Sequence, residues 1–375
     1  MANIIIIGGG FSGLVAAEYF AQRLGRHHHV TLISRDDRFT FYPALVRVAF
    51  GECEPEDVTF DLRETLMDVR VRFVQGEVAR VDPRRKRVVL ARGEMAGEMP
   101  YDFLLYAPGR RLATEHTPGF YEHAHHLLSV DGALKFGEAV RNFEAGRIVF
   151  GNCPDSRLAV PVYEAAFAMS RLLEKRGTRA RSDIKLVLPA TPGDLLGHAN
   201  TAGPLLEALA KHDIDIELDF APARVNKGEL VAANGQTLPC DLLMLVPAFR
   251  GPSLLHGTGL TDEGGYAVVD EKLRVAGAEG IYAAGDATDF PGPKMGHMAV
   301  QQGLVAATNI VAEIYGRAPD DIYHHELKMV LDEGGEDTIY MRQRLTNGEK
   351  PKVRQGLFWR WAKRAQEKIW LAQHT

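Results

Sequence analysis

Cysteine is scarce here. The chain has three in 375 residues, Cys53, Cys153 and Cys240. An odd number at wide spacing excludes a disulfide scaffold and a four-thiolate metal site, so any thiol chemistry has to be individual. Cys53 and Cys240 read as packing residues. Long apolar runs are missing too: the best, Leu242 to Phe249, has the length of a strand and falls far short of a bilayer span. The first apolar stretch begins at Ile4 with no basic region before it and ends in glycines, unlike a secretory signal, which makes the cytoplasm the expected location. Nothing matches a Ser/His/Asp hydrolase. No basic groove interleaved with aromatics is present, so no nucleic-acid partner is expected. Histidines do cluster, at His27-His28-His29, at His123, His125 and His126, and at His324-His325. These groups lie beside turn signals without carboxylate or thiol at ligand spacing, which predicts solvated loop residues and no metal. At this length two domains are expected, since single cores stop growing well below it.

What is present begins at once. Ile4-Ile5-Ile6-Ile7 is a β-branched run, Gly8-Gly9-Gly10-Phe11-Ser12-Gly13 follows, and Leu14 opens an apolar-spaced helix; Val30-Thr31-Leu32-Ile33 is a second strand at the βαβ distance. Gly8 makes the tight turn, Gly10 lets backbone approach a pyrophosphate, and Gly13 lets helix pack on strand. The helix N-terminus then offers free N–H groups and a positive dipole end to phosphate. The second strand of an NAD-binding unit usually ends in Asp or Glu. Ser34 stands there, followed by Arg35 and Asp36, which keeps a ribose contact but weakens the NAD reading. Val71 to Leu90 reads as a hairpin turning at Asp82-Pro83-Arg84-Arg85, with Val78 in reach of an adenine, and Tyr101 to Gly109 as a strand ending in the turn Ala107-Pro108-Gly109.

A second nucleotide unit is expected from Arg147 to Phe150, with a helix from Tyr163 to Arg176. Between them, Gly151 to Pro161 lacks the glycine triplet, so a second pyrophosphate has no evident cradle. Much later, Gly280-Ile281-Tyr282-Ala283-Ala284-Gly285-Asp286 reads as a strand returning to the first sheet, its Asp suited to bond a flexible polyol; Lys294 to Ile314 reads as a loop and a long helix.

Together these residues resemble the flavoproteins with two dinucleotide-binding domains, in the branch that holds sulfide:quinone oxidoreductases, flavocytochrome c sulfide dehydrogenases and type II NADH dehydrogenases. Phe41-Tyr42-Pro43-Ala44-Leu45, Pro55-Glu56-Asp57-Val58 and Leu62-Arg63 look like the NADH enzymes. Leu196-Gly197-His198, Gly292 to Ala299 and Ala365 to Leu371 look like the sulfide enzymes. The resemblance implies an α/β fold of two Rossmann-like domains: 1–110 with 241–320 binding FAD, 111–240 a second domain with a degenerate glycine motif, and 321–375 a C-terminal appendage. It implies FAD with its pyrophosphate on Gly10 to Gly13 and its adenosine near Ser34 and Arg35. Ala107-Pro108-Gly109 stands where the family has Ala-Thr-Gly, Asp286 with Gly285 holds the ribitol, and Lys294, His297 and Met298 lie beside the flavin. It also implies a quinone near Gln301 and Gln302.

Sulfide oxidation in that family uses cysteine thiolates. The matching positions here are Leu128, Leu158 and Met329, none a nucleophile, and Cys153 is the one cysteine near enough in sequence to substitute. The implied activity is electron transfer from a small donor, sulfide-like, through flavin to quinone. The alternatives are an NAD(P)H:quinone reductase, against which the missing glycine motif counts, and a flavin-binding protein without turnover.

Charge is unevenly placed. Nine Arg or Lys against two Glu from Met341 to Thr375 give that segment +7 in a chain of −5, leaving −12 elsewhere. From Gly356 to Ala372 the spacing predicts a helix with Phe358, Trp361, Ala362, Ala365 and Ile369 on one face and Arg360, Lys363, Arg364, Glu367 and Lys368 around the other. Such a helix suits an anionic membrane interface at the inner face of the cell membrane. Packing on its own protein, or on a second copy in a homodimer, is the alternative.

Overall fold

The computed structural model describes residues 1–94, 96–196, 202–345 and 349–374. Gly197 and His198, quoted above for their resemblance, lie outside the described residues. The isoleucine run becomes the strand Asn3–Ile7, buried along nearly its whole length, as β-branched side chains in a parallel sheet should be. It pairs in parallel with His29–Ser34 on one side and Phe103–Tyr106 on the other. Ile281–Ala283 adds in parallel beyond Phe103–Tyr106. The seven-stranded sheet continues past His29–Ser34 through Arg72–Asp82, Arg87–Gly93 and Gly97–Pro100. Two segments far apart in sequence thus end side by side, Gly8 and Asp286 both following the carboxyl ends of strands that flank Phe103–Tyr106.

A second, four-stranded parallel sheet runs Ile214–Glu217, Asp183–Val187, Arg147–Asn152, Leu242–Val246. Here the expected boundary needs correction. Leu242–Val246 is buried at every residue and pairs with Arg147–Asn152, so the chain returns to the first body after this strand and not at 241. A fully apolar strand fits either sheet, and its sequence carries no mark of which one takes it; here it is the last strand of the second.

Two long helices, Phe11–Arg23 and Gly296–Ile314, lie against one another over the first sheet. Small residues set their separation. A Cβ at Gly303 would lie 2.5 Å from the Ser12 carbonyl oxygen, and one at Gly285 would lie 2.5 Å from Ser12 Oγ. Ser12 Oγ donates to the Ala299 carbonyl at 2.8 Å and ties the helices together.

Beyond them an antiparallel sheet of Glu326–Leu331, Ile339–Arg344 and Lys352–Gln355 leads into the C-terminal helix Leu357–His374. This helix is docked inside out. Its charged side faces the protein: Glu367 meets Arg47 at 2.6 Å, Arg364 meets Glu52 at 2.8 Å, Arg360 meets Asp332 at 3.4 Å, and Lys363 pairs with the buried Glu164. The predicted apolar side faces outward, with Phe358 69 %, Trp361 66 % and Ile369 58 % exposed. Four of the basic residues of the tail, Arg342, Arg360, Lys363 and Arg364, are thus paired with carboxylates of the acidic body. Its last turns close with Trp370, whose ring lies 5.3 Å from Phe11, and with His374 Nε2, 3.3 Å from Glu18.

Two outcomes follow from this packing. Gly303→Ala forces a methyl onto the Ser12 backbone and is expected to cost about 1–3 kcal/mol, read as a lower urea midpoint; an unchanged midpoint would show that the helices are free to part. Burial pulls the His374 pKa down, but its bonds to Glu18 and the Trp370 carbonyl outweigh that and raise it. A histidine with a raised folded-state value stabilises fully below its unfolded value of about 6.5 and loses that contribution as pH climbs through the folded one. Amide protection in the last helical turn is therefore expected to be greater at pH 6 than at pH 8, and His374→Ala to abolish the difference.

Candidate functional site

The glycine loop is shaped by close contacts and one opening. Gly8 has φ +102°, and a Cβ there would strike the Ala107 carbonyl; a Cβ on Gly13 would strike the Gly8 carbonyl. At Gly10 nothing lies within 4 Å of where a Cβ would be, so the loop is open to something outside the protein's own atoms. The helix behind it begins on Gly10 with no side-chain cap and no acid in its first turn, and the helix at Gly296 begins on Met295 in the same way. Two long helices thus bring uncapped N-termini to one place, each with orphan N–H donors and a positive dipole end.

Around them the sequence-predicted residues are distributed unevenly. Ser34 stands beside the loop, 3.2 Å from a Cβ built on Gly9, while Arg35 and Asp36 are exposed and paired at 3.3 Å. Ala107 is buried, and Gly109, with φ +79°, has open space above it, as at Gly10; Pro108 is half-buried between them. Val78 packs in an apolar cluster with Ile7, Ile33 and Val74.

Asp286 sits in the turn Gly285–Ala287, 8 % exposed, and is paired with Arg110. No motif pointed to Arg110. The one hint was a charged residue directly after the turn Ala107-Pro108-Gly109. Its guanidinium lies 5.3 Å from the centre of the Tyr42 ring and 4.4 Å from that of Phe249. Arg110 Nε and Tyr42 Oη are buried without a hydrogen-bond partner. Gln302 is turned inward and accepts from the Gly285 N–H at 2.7 Å, fixing the Asp286 turn; Gln301 is half-buried and takes no part in that network.

Lys294 is buried with Nζ donating to the Thr288 carbonyl at 2.5 Å and lying 4.9 Å from the Tyr266 ring. Burial first, then the neighbouring Arg157, pull its pKa to about 7 against the pull of Asp286 and Asp289. Met298 is buried and lines, with Asp286 and Lys294, a small hollow at this turn. His297 accepts from the Lys328 N–H at 3.1 Å, and burial lowers its pKa. His325, read as a solvated loop residue, is 2 % exposed. Its Nε2 donates to the Pro291 carbonyl at 2.8 Å, and Tyr323 Oη meets its Nδ1 at 3.1 Å. It was misjudged because turn residues around it concealed the strand Glu326–Leu331 that draws it inside. Among the described residues no His, Cys, Asp or Glu cluster could hold a metal.

Among the described residues the second body offers no comparable glycine loop. Gly151 lies inside the strand Arg147–Asn152, where a Cβ would meet Val187 of the neighbouring strand, and the next helix starts only at Val160. Cys153 is 1 % exposed among Phe120, Val187 and Leu245, with Thr117 Oγ1 3.6 Å from its sulfur. Burial pushes its thiol up to about 12, which disfavours the thiolate. Leu158 and Met329 share an apolar cluster with Met295 and Met298, and Leu128 packs at its edge.

Comparison with known proteins agrees with this geometry. The chain is 26 % identical over 361 residues to the sulfide-quinone reductase of Aquifex aeolicus, covering 89 % of this chain and 82 % of that protein. It is 23 % identical over 367 residues to a type II NADH:quinone oxidoreductase of Staphylococcus epidermidis, covering 90 % and 89 %. The solved structure of the Aquifex aeolicus sulfide:quinone oxidoreductase superposes with a TM-score of 0.92 at 24 % identity, covering 100 % of this chain and 91 % of that one. An NAD-dependent persulfide reductase from A. fulgidus shares the fold with a TM-score of 0.71 at 21 % identity, covering 91 % and 64 %. The pyridine nucleotide-disulphide oxidoreductase model matches residues 2–149 and 198–303, more than half the chain, and the protein belongs to that family of oxidoreductases.

Proposed function

We propose that this protein is an FAD-dependent quinone reductase fed by a small electron donor. The observation that carries the reading is the meeting of the open glycine loop with Asp286 at neighbouring strand ends, under two uncapped helix N-termini. Those N–H groups, with Gly10 to Gly13, would hold the pyrophosphate, Ser34 the ribose and Asp286 the ribitol. The orphaned Tyr42 Oη and Arg110 Nε supply polar edges that suit the same guest. When bound, FAD supplies a two-electron carrier that takes electrons from one substrate and gives them to another. The helix beginning at Gly296 favours negative charge beside it, Lys294 can hold or release a proton at Nζ near neutral pH, and Leu158, Met298 and Met329 keep water away.

Quinone as acceptor is supported by the names of both enzyme relatives, which are quinone reductases. The missing glycine triplet after the strand Arg147–Asn152 weighs against a nicotinamide dinucleotide, and the buried Cys153 weighs against thiol relay, so a small donor acting directly on the cofactor fits best. A nicotinamide donor remains the second reading because one group of relatives is named for NADH oxidation. The outward apolar stripe Phe358, Trp361 and Ile369 suits an anionic membrane interface, where a lipid-soluble quinone is concentrated. No helix among the described residues is long and apolar enough to cross a membrane.

Purified protein is expected to carry or take up FAD. An anaerobic titration followed by flavin absorbance should show bleaching by sulfide at concentrations where NADH and NADPH leave the colour intact, and Cys153→Ser should behave as wild type. Bleaching by micromolar NADH alone would favour the second reading, and failure of every donor would sink the catalytic proposal. On anionic vesicles, Phe358→Ser with Trp361→Ser and Ile369→Ser is expected to cut flotation at least severalfold. Unchanged flotation, or a switch from dimer to monomer in solution, would assign the stripe to another partner.

A further inference from the structure

We propose that Arg110 sets the electron affinity of the bound cofactor, by holding reduced flavin more tightly than oxidised flavin. The inference rests on the flavin reading above. Taking up two electrons and one proton leaves flavin with one more negative charge than it had, so the protein must offer a cation to that charge or bind the reduced form worse.

Three basic groups lie near the Asp286 turn. Arg157 is committed elsewhere: its Nε donates to the Gly292 carbonyl at 2.8 Å, another of its nitrogens bonds the Phe290 carbonyl, and its guanidinium stacks over Tyr266 at 5.1 Å. Lys294 points into carbonyls of its own loop, and at neutral pH it is uncharged for part of the time. Arg110 brings a planar guanidinium, the side chain suited to holding a fixed positive charge in a buried pair. It lies in contact with the two rings of Tyr42 and Phe249, which fixes the plane of its fork, and only its Nη1 edge is taken, by Asp286. The Nε edge is buried and makes no hydrogen bond of good geometry, and the guanidinium lies in reach of the Tyr42 hydroxyl. The backbone of Gly296, at the start of the long helix, reaches the same Tyr42 hydroxyl. A permanent cation and a helix N-terminus therefore converge where water is excluded, the setting in which fixed charge acts most strongly on a guest. Asp286 opposes Arg110 in part, so the two residues should move the potential in opposite directions.

The test uses full-length protein loaded with FAD, comparing wild type with Arg110→Gln, Arg110→Lys and Asp286→Asn. The dissociation constant of oxidised FAD is read by fluorescence titration and the midpoint potential by dye-equilibrated reduction. Arg110→Gln is expected to weaken reduced flavin at least tenfold relative to oxidised flavin, a fall of about 30 mV for a two-electron couple. Arg110→Lys should recover most of that fall, and Asp286→Asn should raise the potential. A potential unmoved in Arg110→Gln overturns the inference, as does an equal loss of both redox forms, which is what mere loosening of the cradle would produce. If Arg110→Gln does not fold, a potential that fails to rise in Asp286→Asn overturns it instead. Wild-type protein that takes no FAD removes the inference together with the reading beneath it, whereas wild type that takes FAD without these shifts removes the inference alone.

Discussion

The backbone-to-backbone approach of two helices is what the site depends on. Gly303 over Ser12, Gly285 against the Ser12 hydroxyl and Gly13 over Gly8 leave no room for a side chain between the glycine loop and the segment that follows Asp286. Any larger residue at these points would separate two N-termini whose positive ends act together only when adjacent, because dipole effects fall off within about one helical turn. The sheet beneath supplies the matching alignment: Ile281–Ala283 pairs with Phe103–Tyr106, which pairs with Asn3–Ile7, so the turns at Gly285 and Gly8 emerge at one level. A close helix contact and a parallel register thus bring residues nearly 280 positions apart into one corner with two uncapped helix N-termini.

The C-terminal helix obeys a different rule. A helix normally hides its apolar stripe, but here Arg47, Glu52, Glu164 and Asp332 form a charged floor, and the helix lays Glu367, Arg364, Lys363 and Arg360 upon it. Glu164 shows the cost of the arrangement. Burial raises its pKa in spite of Lys363, so the pair contributes less than its contact implies. What the ion pairs achieve is orientation, since they dictate that Phe358, Trp361 and Ile369 face away from the body.

Much of the first domain was legible. The four isoleucines, the glycine spacing and the strand closing on Gly285-Asp286 each carry a local signature with a steric cause, and the structure places them together. The turn at Asp82 to Arg85 is equally local, and the strands Arg72–Asp82 and Arg87–Gly93 form around it. Other features depend on partners that no local pattern reveals. Leu242–Val246 is apolar throughout, and either sheet could have accepted it. Periodicity correctly grouped Phe358, Trp361 and Ile369 on one face, but which face turns inward depends on the surface waiting for it. His325 and Arg110 were missed for a related reason: a histidine beside turns and an arginine after a glycine look solvated until a strand or a pair of rings closes over them.

The corner and the docked helix are not independent. Trp370, on the inward side of the C-terminal helix, rests 5.3 Å from the ring of Phe11, and Phe11 in turn stands edge-on to Tyr42 at 5.5 Å and against Gly296. Phe11 belongs to the glycine loop itself, and Tyr42 forms one wall around Arg110. The aromatic chain therefore runs from a helix whose outer face is apolar to the cation beside Asp286, through rings that are buried or largely buried. A shift of the helix on its charged floor therefore bears on two places, directly on Glu164 of the second domain through Lys363, and on Tyr42 through the packed rings of Trp370 and Phe11. The ion pairs under the helix thus fix where Trp370 sits, and with it the packing of Phe11 and Tyr42 around Arg110.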